Sequence, residues 1–404
     1  MGLARASRVT SPRTWEGEER LWLGLACALV LLDAIETANP ESLSPGRIFA
    51  GVGATIALGF LARGKARALP VLVFVALAGI ALRLEAVVLN GSDVWRATAE
   101  ALDVISRGWN PYTHVYATTS PPGAPFVYLP GEIALYAIQS ALTGGLQDHD
   151  RWWGILTLLA LALSGTVFGY ARAAVATALF GMWPMAILRS IDGANDSGLA
   201  FLVVTALVLL AFAIREESRR VRVATVLYAL SAGAFGWGLA FKLLSWPLFP
   251  FVVRFIGSID KRRRVLYLCL ALGTAVGFCL PYAIAAPLPF VSAIGQSFAY
   301  HHNIWGFDVW SGLLQIKPAW IPADTRWYFL AAIAFAFAFM WGRSAPPTLG
   351  HAVLQGTVVV LVALLMAGWS STAYYVFAVA LIAVALAAFR PLPSPTAVQT
   401  LSDR

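Results

Sequence analysis

The run Gly91-Ser92-Asp93-Val94-Trp95-Arg96 follows a mostly apolar stretch over residues 69–90 and begins a polar segment that extends to Pro130. A helix needs about 20 apolar residues to cross a hydrocarbon core. Residues 69–90 are enough, so the change at Gly91 marks where the chain leaves a membrane. The polar segment holds Asp93, Asp103, Arg96, Arg107 and His114, with the runs Gly108-Trp109-Asn110-Pro111-Tyr112 and Pro121-Pro122-Gly123, whose Gly, Pro and Asn residues are turn formers. In a chain that is otherwise mostly hydrocarbon, this is where chemistry is possible.

The rest of the composition agrees. Of 404 residues, 59% are hydrophobic and only 12% are charged, with a mean hydropathy of +0.72, far from the balance of a soluble domain. The expected class is an all-α polytopic membrane protein. It would have a tail at 1–20, one integral membrane domain at 21–390, with outer loops at 91–130 and 287–326, and a second tail at 391–404. The net charge of +8 does not indicate nucleic acid, because the basic residues gather in short clusters between apolar runs and report topology. Cys27, Cys269 and Cys279 all lie within apolar runs. Neither a disulfide framework nor a cysteine metal site is expected, and no metal or cofactor is implied.

Apolar runs fall at 21–37, 46–62, 69–90, 153–171, 173–191, 197–214, 222–241, 243–257, 265–286, 327–342, 350–368 and 373–390, which predicts about twelve transmembrane helices. The clusters at 5–20, Arg63 to Arg67, Arg172, Arg215 to Arg222, Arg254 with Lys261 to Arg264, Arg343, and Arg390 with Arg404 are placed in the cytoplasm. Both termini then lie inside. These assignments are consistent only if 124–143, which contains Glu132, Gln139, Pro125 and Pro130, dips into the membrane without crossing. Such a re-entrant segment is tolerated where protein or a water-filled cavity surrounds it. The region 94–143 thus divides into an interfacial helix and a half-immersed piece. The protein is expected in the cell membrane, multi-pass, with its functional face outside.

On that face Asp93 stands where a membrane helix emerges, partly desolvated yet within reach of water, a setting that suits a general base. The plainer alternative is an N-cap for the helix expected over Val94 to Ser106. Asp192 and Asp196 in Asp192-Gly193-Ala194-Asn195-Asp196 are further acids, with helix capping as their alternative. Lys242 lies in an apolar surrounding, where a charge marks a functional site by default; snorkelling to the interface would also explain it. Tyr112, Tyr116, Phe126 and Tyr128 form either an aromatic wall or an interfacial belt. His301 and His302 are adjacent, so they do not share a helix face and make a poor metal pair. They could bind phosphate or sugar, and Trp305, Trp310 and Trp320 could stack on a ligand or anchor at the interface.

The order of these pieces resembles the GT-C superfamily of polyprenyl-phosphate-sugar-dependent glycosyltransferases, particularly glycosyltransferase family 87. The matching pieces are Asp93, Gly108 to Tyr112, Tyr128-Leu129-Pro130-Gly131, the acidic run at 192–196, and Phe241-Lys242-Leu243-Leu244-Ser245-Trp246-Pro247. Two departures stand out. Pro121-Pro122 is separate from Tyr128-Leu129-Pro130, and Ala194-Asn195 stands where a Gln commonly precedes the family's second Asp, which leaves Asp192 and Asp196 as competing candidates.

The resemblance implies transfer of a sugar, mannose or another hexose or pentose, from a polyprenyl-phosphate donor to a hydroxyl of a lipid or cell-envelope glycan. Asp93 would be the general base, with Asp196 or Asp192 orienting hydroxyls, and Lys242, Arg96, Asn110, Tyr112, His301 and His302 binding substrate. Besides donor and acceptor, only membrane lipids are expected as partners. Nothing in the chain offers a nucleotide-sugar alternative, since it has neither a Gly-rich phosphate loop nor a soluble domain. A multi-pass transporter or flippase of a lipid-linked or small anionic substrate is the competing class. It would favour midplane charges and repeat symmetry over polar residues gathered at helix ends.

Overall fold

The computed structural model describes residues 45–64, 66–86, 92–119, 122–146, 149–296, 304–322 and 324–389. The run 21–37, both expected tails, Cys27 and the His301-His302 pair lie outside the described residues.

The first helices are α1 (Pro45–Ala62), α2 (Ala68–Glu85), α3 (Asp93–Ser106), α4 (Pro130–Thr143), α5 (His149–Leu163), α6 (Gly165–Phe168), α7 (Tyr170–Gly181) and α8 (Pro184–Arg189). After them come α9 (Asp196–Glu216), α10 (Val221–Phe241), α11 (Phe249–Ile259), α12 (Lys261–Ala285), α13 (Pro287–Gln296), α14 (Val309–Ile316), α15 (Arg326–Gly342), α16 (Leu349–Met366) and α17 (Thr372–Ala387). Among the described residues six helices are long and apolar enough to cross a membrane, and four shorter apolar helices accompany them.

One expected span is not a single helix. The run 173–191 divides into α7 and α8 because Pro184, at the first position of α8, has no N–H to continue the ladder. At 12 residues α7 spans only about 18 Å.

Helix α9 is apolar all round and forms the centre, with 72% of its span buried, as a helix enclosed by others must be. It packs against α5, α10 and α17, while α10 continues the contact to α12. Small residues set the close approaches. A Cβ on Gly131 of α4 would come within 2.7 Å of the Ala240 backbone in α10. One on Gly236 of α10 would strike the Ala271 carbonyl of α12. A second core joins α1, α2 and α7. A third, aromatic core gathers Tyr112, Tyr116, Phe126 and Phe290 with Ala97 and Ala101 of α3, so the loop before α4 folds onto α3 and α13.

The ends of the helices segregate by charge. Arg63 and Arg67, Arg219 and Arg220, and Lys261 to Arg264 cluster at links between consecutive helices. Asp196 opens α9 at the end opposite the Arg219–Arg220 link, and Lys242 follows α10 at that same far end. Segment 130–143 keeps to the Asp196 end. Glu132 near its start acts electrostatically on Asp196, and Asp150, just beyond it, accepts the N–H groups of Ser197 (3.1 Å) and Gly198 (3.0 Å) in the first turn of α9. The chain therefore enters and leaves α4 at one end of the bundle. The helix itself, 14 residues, reaches only about 21 Å.

Beyond α13 the chain folds back over this end. Trp305–Gly306 pairs in parallel with Trp369–Ser370 just before α17. The Trp310 indole donates to the Met366 carbonyl (3.0 Å), and the Tyr375 hydroxyl donates to Phe307 O.

Candidate active site at the Asp93–Lys242 end of the bundle

Ser92, not Asp93, caps α3: its hydroxyl accepts the Val94 N–H (3.2 Å). This releases Asp93 from the capping role. It sits in the first helical turn, half-buried, where the helix dipole stabilises negative charge. The Ser92 N–H donates to the Asp192 carbonyl (2.8 Å), which fastens the start of α3 to the acidic run 192–196. The Asp93 and Asp196 carboxylates both act on the phenols of Tyr128 and Tyr374. Two acids 103 positions apart in the chain thus face one small region.

Lys242 closes that region. Its ammonium donates to Asp196 Oδ1 (2.8 Å) and Asn195 Oδ1 (2.9 Å) and lies 4.3 Å from the Tyr374 ring centroid. The pair is largely enclosed, with side-chain exposures of 13% for Lys242 and 2% for Asp196. Arg189 does the same work for the neighbouring acid. Its guanidinium pairs with Asp192 and donates to the Thr372 hydroxyl (2.8 Å), tying the start of α17 into the site. Burial holds the Asp192 carboxyl above its usual range despite the nearby Arg189 and the Ala194 N–H. The two cations beside the acidic run, Lys242 and Arg189, are therefore already matched by carboxylates, whereas Arg96 on α3 is exposed. Neither Asp192 nor Asp196 is a side-chain helix cap, since the first amides of α9 belong to Asp150.

The other sequence candidates are held by local contacts. Asn110 accepts the Tyr112 N–H (2.9 Å) and caps a short 3-10 turn. Tyr112 is buried, donates to Tyr128 O (2.7 Å) and packs edge-on against Phe126, Tyr282 and Phe290. His114 binds Glu100 (2.8 Å), which also accepts from Thr118 and Ala117. Burial works against the Glu100 charge, but these donors outweigh it and hold the carboxyl below its ordinary value. Asp103 pairs with Arg107 in the exposed last turn of α3. Trp310 is buried as an anchor, and Trp320 is exposed.

Glu132 and Tyr374 also lie in this region without being sequence candidates for catalysis or binding, whereas Asn195 belongs to the acidic run and Tyr128 to the aromatic group already read from the sequence. Glu132 carried a usable signal: an acid inside an apolar segment is costly and marks function, by the argument that singles out Lys242. Tyr374 carried none, because interfacial tyrosines look alike whether or not they line a site.

No protein-family model matches the chain, and no curated relative matches it. Among solved structures the fold is similar to that of ArnT from Cupriavidus metallidurans. The apo form shares 18% identity at a TM-score of 0.50, and the form bound to undecaprenyl phosphate 15% at 0.51. Each match covers 78% of this chain and 58% of that one, so the chain spans less than three-fifths of the ArnT length. The Archaeoglobus fulgidus oligosaccharyltransferase, apo form, matches at 16% identity and a TM-score of 0.49, over 79% of this chain and 50% of that one.

Proposed function

From a chain with the fold of the GT-C superfamily of membrane glycosyltransferases, we propose that this end of the bundle transfers a sugar from a polyprenyl-phosphate donor to a hydroxyl acceptor. The observation that carries the proposal is the bond from Ser92 N–H to the Asp192 carbonyl (2.8 Å), which fastens the helix turn bearing Asp93 to the acidic run that holds the enclosed Asp196–Lys242 pair. The undecaprenyl phosphate bound by ArnT supports a lipid-phosphate donor. The acceptor is a lipid or glycan of the cell envelope, and the active site faces outward, away from the basic links.

In this mechanism the acceptor hydroxyl loses its proton to Asp93 as its oxygen attacks the sugar carbon. The bond from that carbon to the phosphate oxygen breaks, the configuration inverts, and polyprenyl phosphate leaves with the bonding pair. Exposed Arg96 meets the phosphate first, and Lys242 is shared between it and Asp196 as charge grows on the leaving group. Asp192, held by Arg189, shapes the floor under the acceptor. Tyr112 and Asn110 keep the wall in place, and His301 and His302 are assigned to substrate binding as the resemblance implies.

The test is transfer of radiolabelled sugar from a panel of polyprenyl-phosphate sugars by membranes carrying the full chain. Asp93→Asn is expected to lower kcat by about 10²–10⁴-fold with little change in donor KM. Wild-type rates in Asp93→Asn would remove Asp93 as the base. Substrate movement across the bilayer without transfer would favour a transporter.

A further inference from the structure

Glu132 stands in the first turn of α4, wholly buried, and the mechanism above gives it no task. Its Oε1 lies 2.8 Å from the Thr98 hydroxyl oxygen. The same hydroxyl lies 2.8 Å from the Val94 carbonyl, one turn back along α3. A threonine hydroxyl has one proton to give, and a backbone carbonyl can only accept. Two oxygens at hydrogen-bond distance from one hydroxyl need a second proton unless one of them repels it. Of the two, only the carboxyl group can carry that proton.

Two further observations agree. Glu132 Oε2 is buried with no hydrogen-bond partner at the usual distance, and its one polar neighbour is the Asn195 side-chain amide, a weak donor whose Nδ2 is likewise unpaired at that distance. An ionised carboxylate left in that state costs far more than a neutral acid. The local charge is also complete without it, because the Lys242 ammonium is engaged by Asp196 and Asn195. An ionised Glu132 would set a second anion against a single cation.

We infer that Glu132 is a proton-bearing positioning residue: as a neutral acid it donates to Thr98 and so fixes the helix carrying Asp93 beside the Lys242–Asp196 pair without adding charge there. The groups around it come from every neighbouring element. Thr98 faces it from α3, Asn195 and Asp196 from the start of α9, Lys242 from the end of α10, Tyr112 and Tyr128 from the preceding loop, and Tyr136 from its own helix. The functional half of this inference rests on the proposed transferase, since the position at stake is that of Asp93. The protonation half stands without it.

The first measurement is an infrared difference spectrum between wild type and Glu132→Gln, both full-length in lipid nanodiscs at neutral pH. A carbonyl-stretching band of a protonated carboxylic acid, present in wild type and lost in the variant, is expected. Its absence overturns the inference. The second is the transfer assay. Gln keeps the shape and an N–H donor for Thr98, so Glu132→Gln should hold kcat within about threefold. Glu132→Ala frees α3 and should lower kcat by about 100-fold while donor KM stays within about threefold. Equal losses in Gln and Ala would show that the negative charge is required and overturn the inference. Should wild type transfer no sugar, the proposed function fails while the infrared band still decides the state of Glu132.

Discussion

At the scale of single residues, the organising fact is that the site's internal charges come matched. Lys242 with Asp196 is such a pair, and removing one partner leaves the other charged and enclosed. Lys242→Met is expected to destabilise the protein by about 3 kcal/mol, as breaking a buried ion pair does. Asp196→Asn should cost a similar amount, and the double variant should recover part of the loss in thermal unfolding. Strictly additive losses would show that the two side chains do not depend on each other. Glu100 makes a different prediction. Its carboxyl is held below the ordinary value of 4.5 in the folded protein, so its contribution is fully present above the unfolded-state pKa and is lost as pH falls through the lower folded-state value. Acidification should therefore loosen the turn around His114 to Thr118. Protection factors of the amides there, corrected for the intrinsic pH dependence of exchange, should fall as pH is lowered through the ordinary carboxylate range, and in Glu100→Gln they should be low already at neutral pH.

At the scale of elements, the site exists because short helices are pressed against long ones through small residues. Gly131 lets α4 approach α10, and the Trp237 indole reinforces the contact by donating to the Gly131 carbonyl (2.7 Å). Gly131→Ala should cost about 1–3 kcal/mol by overpacking. Gly145→Ala, where a Cβ meets nothing within 4 Å, should cost little. Equal melting temperatures for the two variants would contradict the close packing of α4.

Much of this layer is legible in the sequence. Apolar runs bounded by charge locate α1, α2, α9, α10, α12, α16 and α17, and α3 is read over Val94 to Ser106 with Asp93 as the possible cap, one residue after the true cap Ser92. The division of 173–191 is less so, because Pro184 sits in a run whose hydropathy never falls, and only the missing N–H breaks the helix. Asp93, Asp196 and Lys242 can be found as ionisable residues at the ends of apolar runs. That Asp150 serves the amides of Ser197 and Gly198, or that Glu132 reaches Thr98, cannot be read from spacing, because contacts across 47 and 34 positions depend on how helices pack.

At the scale of the whole molecule, one end of the bundle is basic and the other holds the site. A cysteine introduced at Gly145, in a background lacking Cys27, Cys269 and Cys279, should react with an impermeant reagent added outside intact cells. One introduced at Arg219 should react only after permeabilisation. Labelling of both from the same side would refute the outward-facing site. Asp150 adds a consequence for selectivity. A helix N-terminus is a ready-made cradle for any small anion, but the first amides of α9 are already filled by this carboxylate. Free phosphate, sulfate or a nucleotide therefore finds the amides of Ser197 and Gly198 filled and both Lys242 and Arg189 paired, with only exposed Arg96 of the site's described cations open to it. On the proposed function, a substrate must bring enough apolar tail or sugar contact to displace those partners, which would favour a lipid-linked anion over abundant soluble ones.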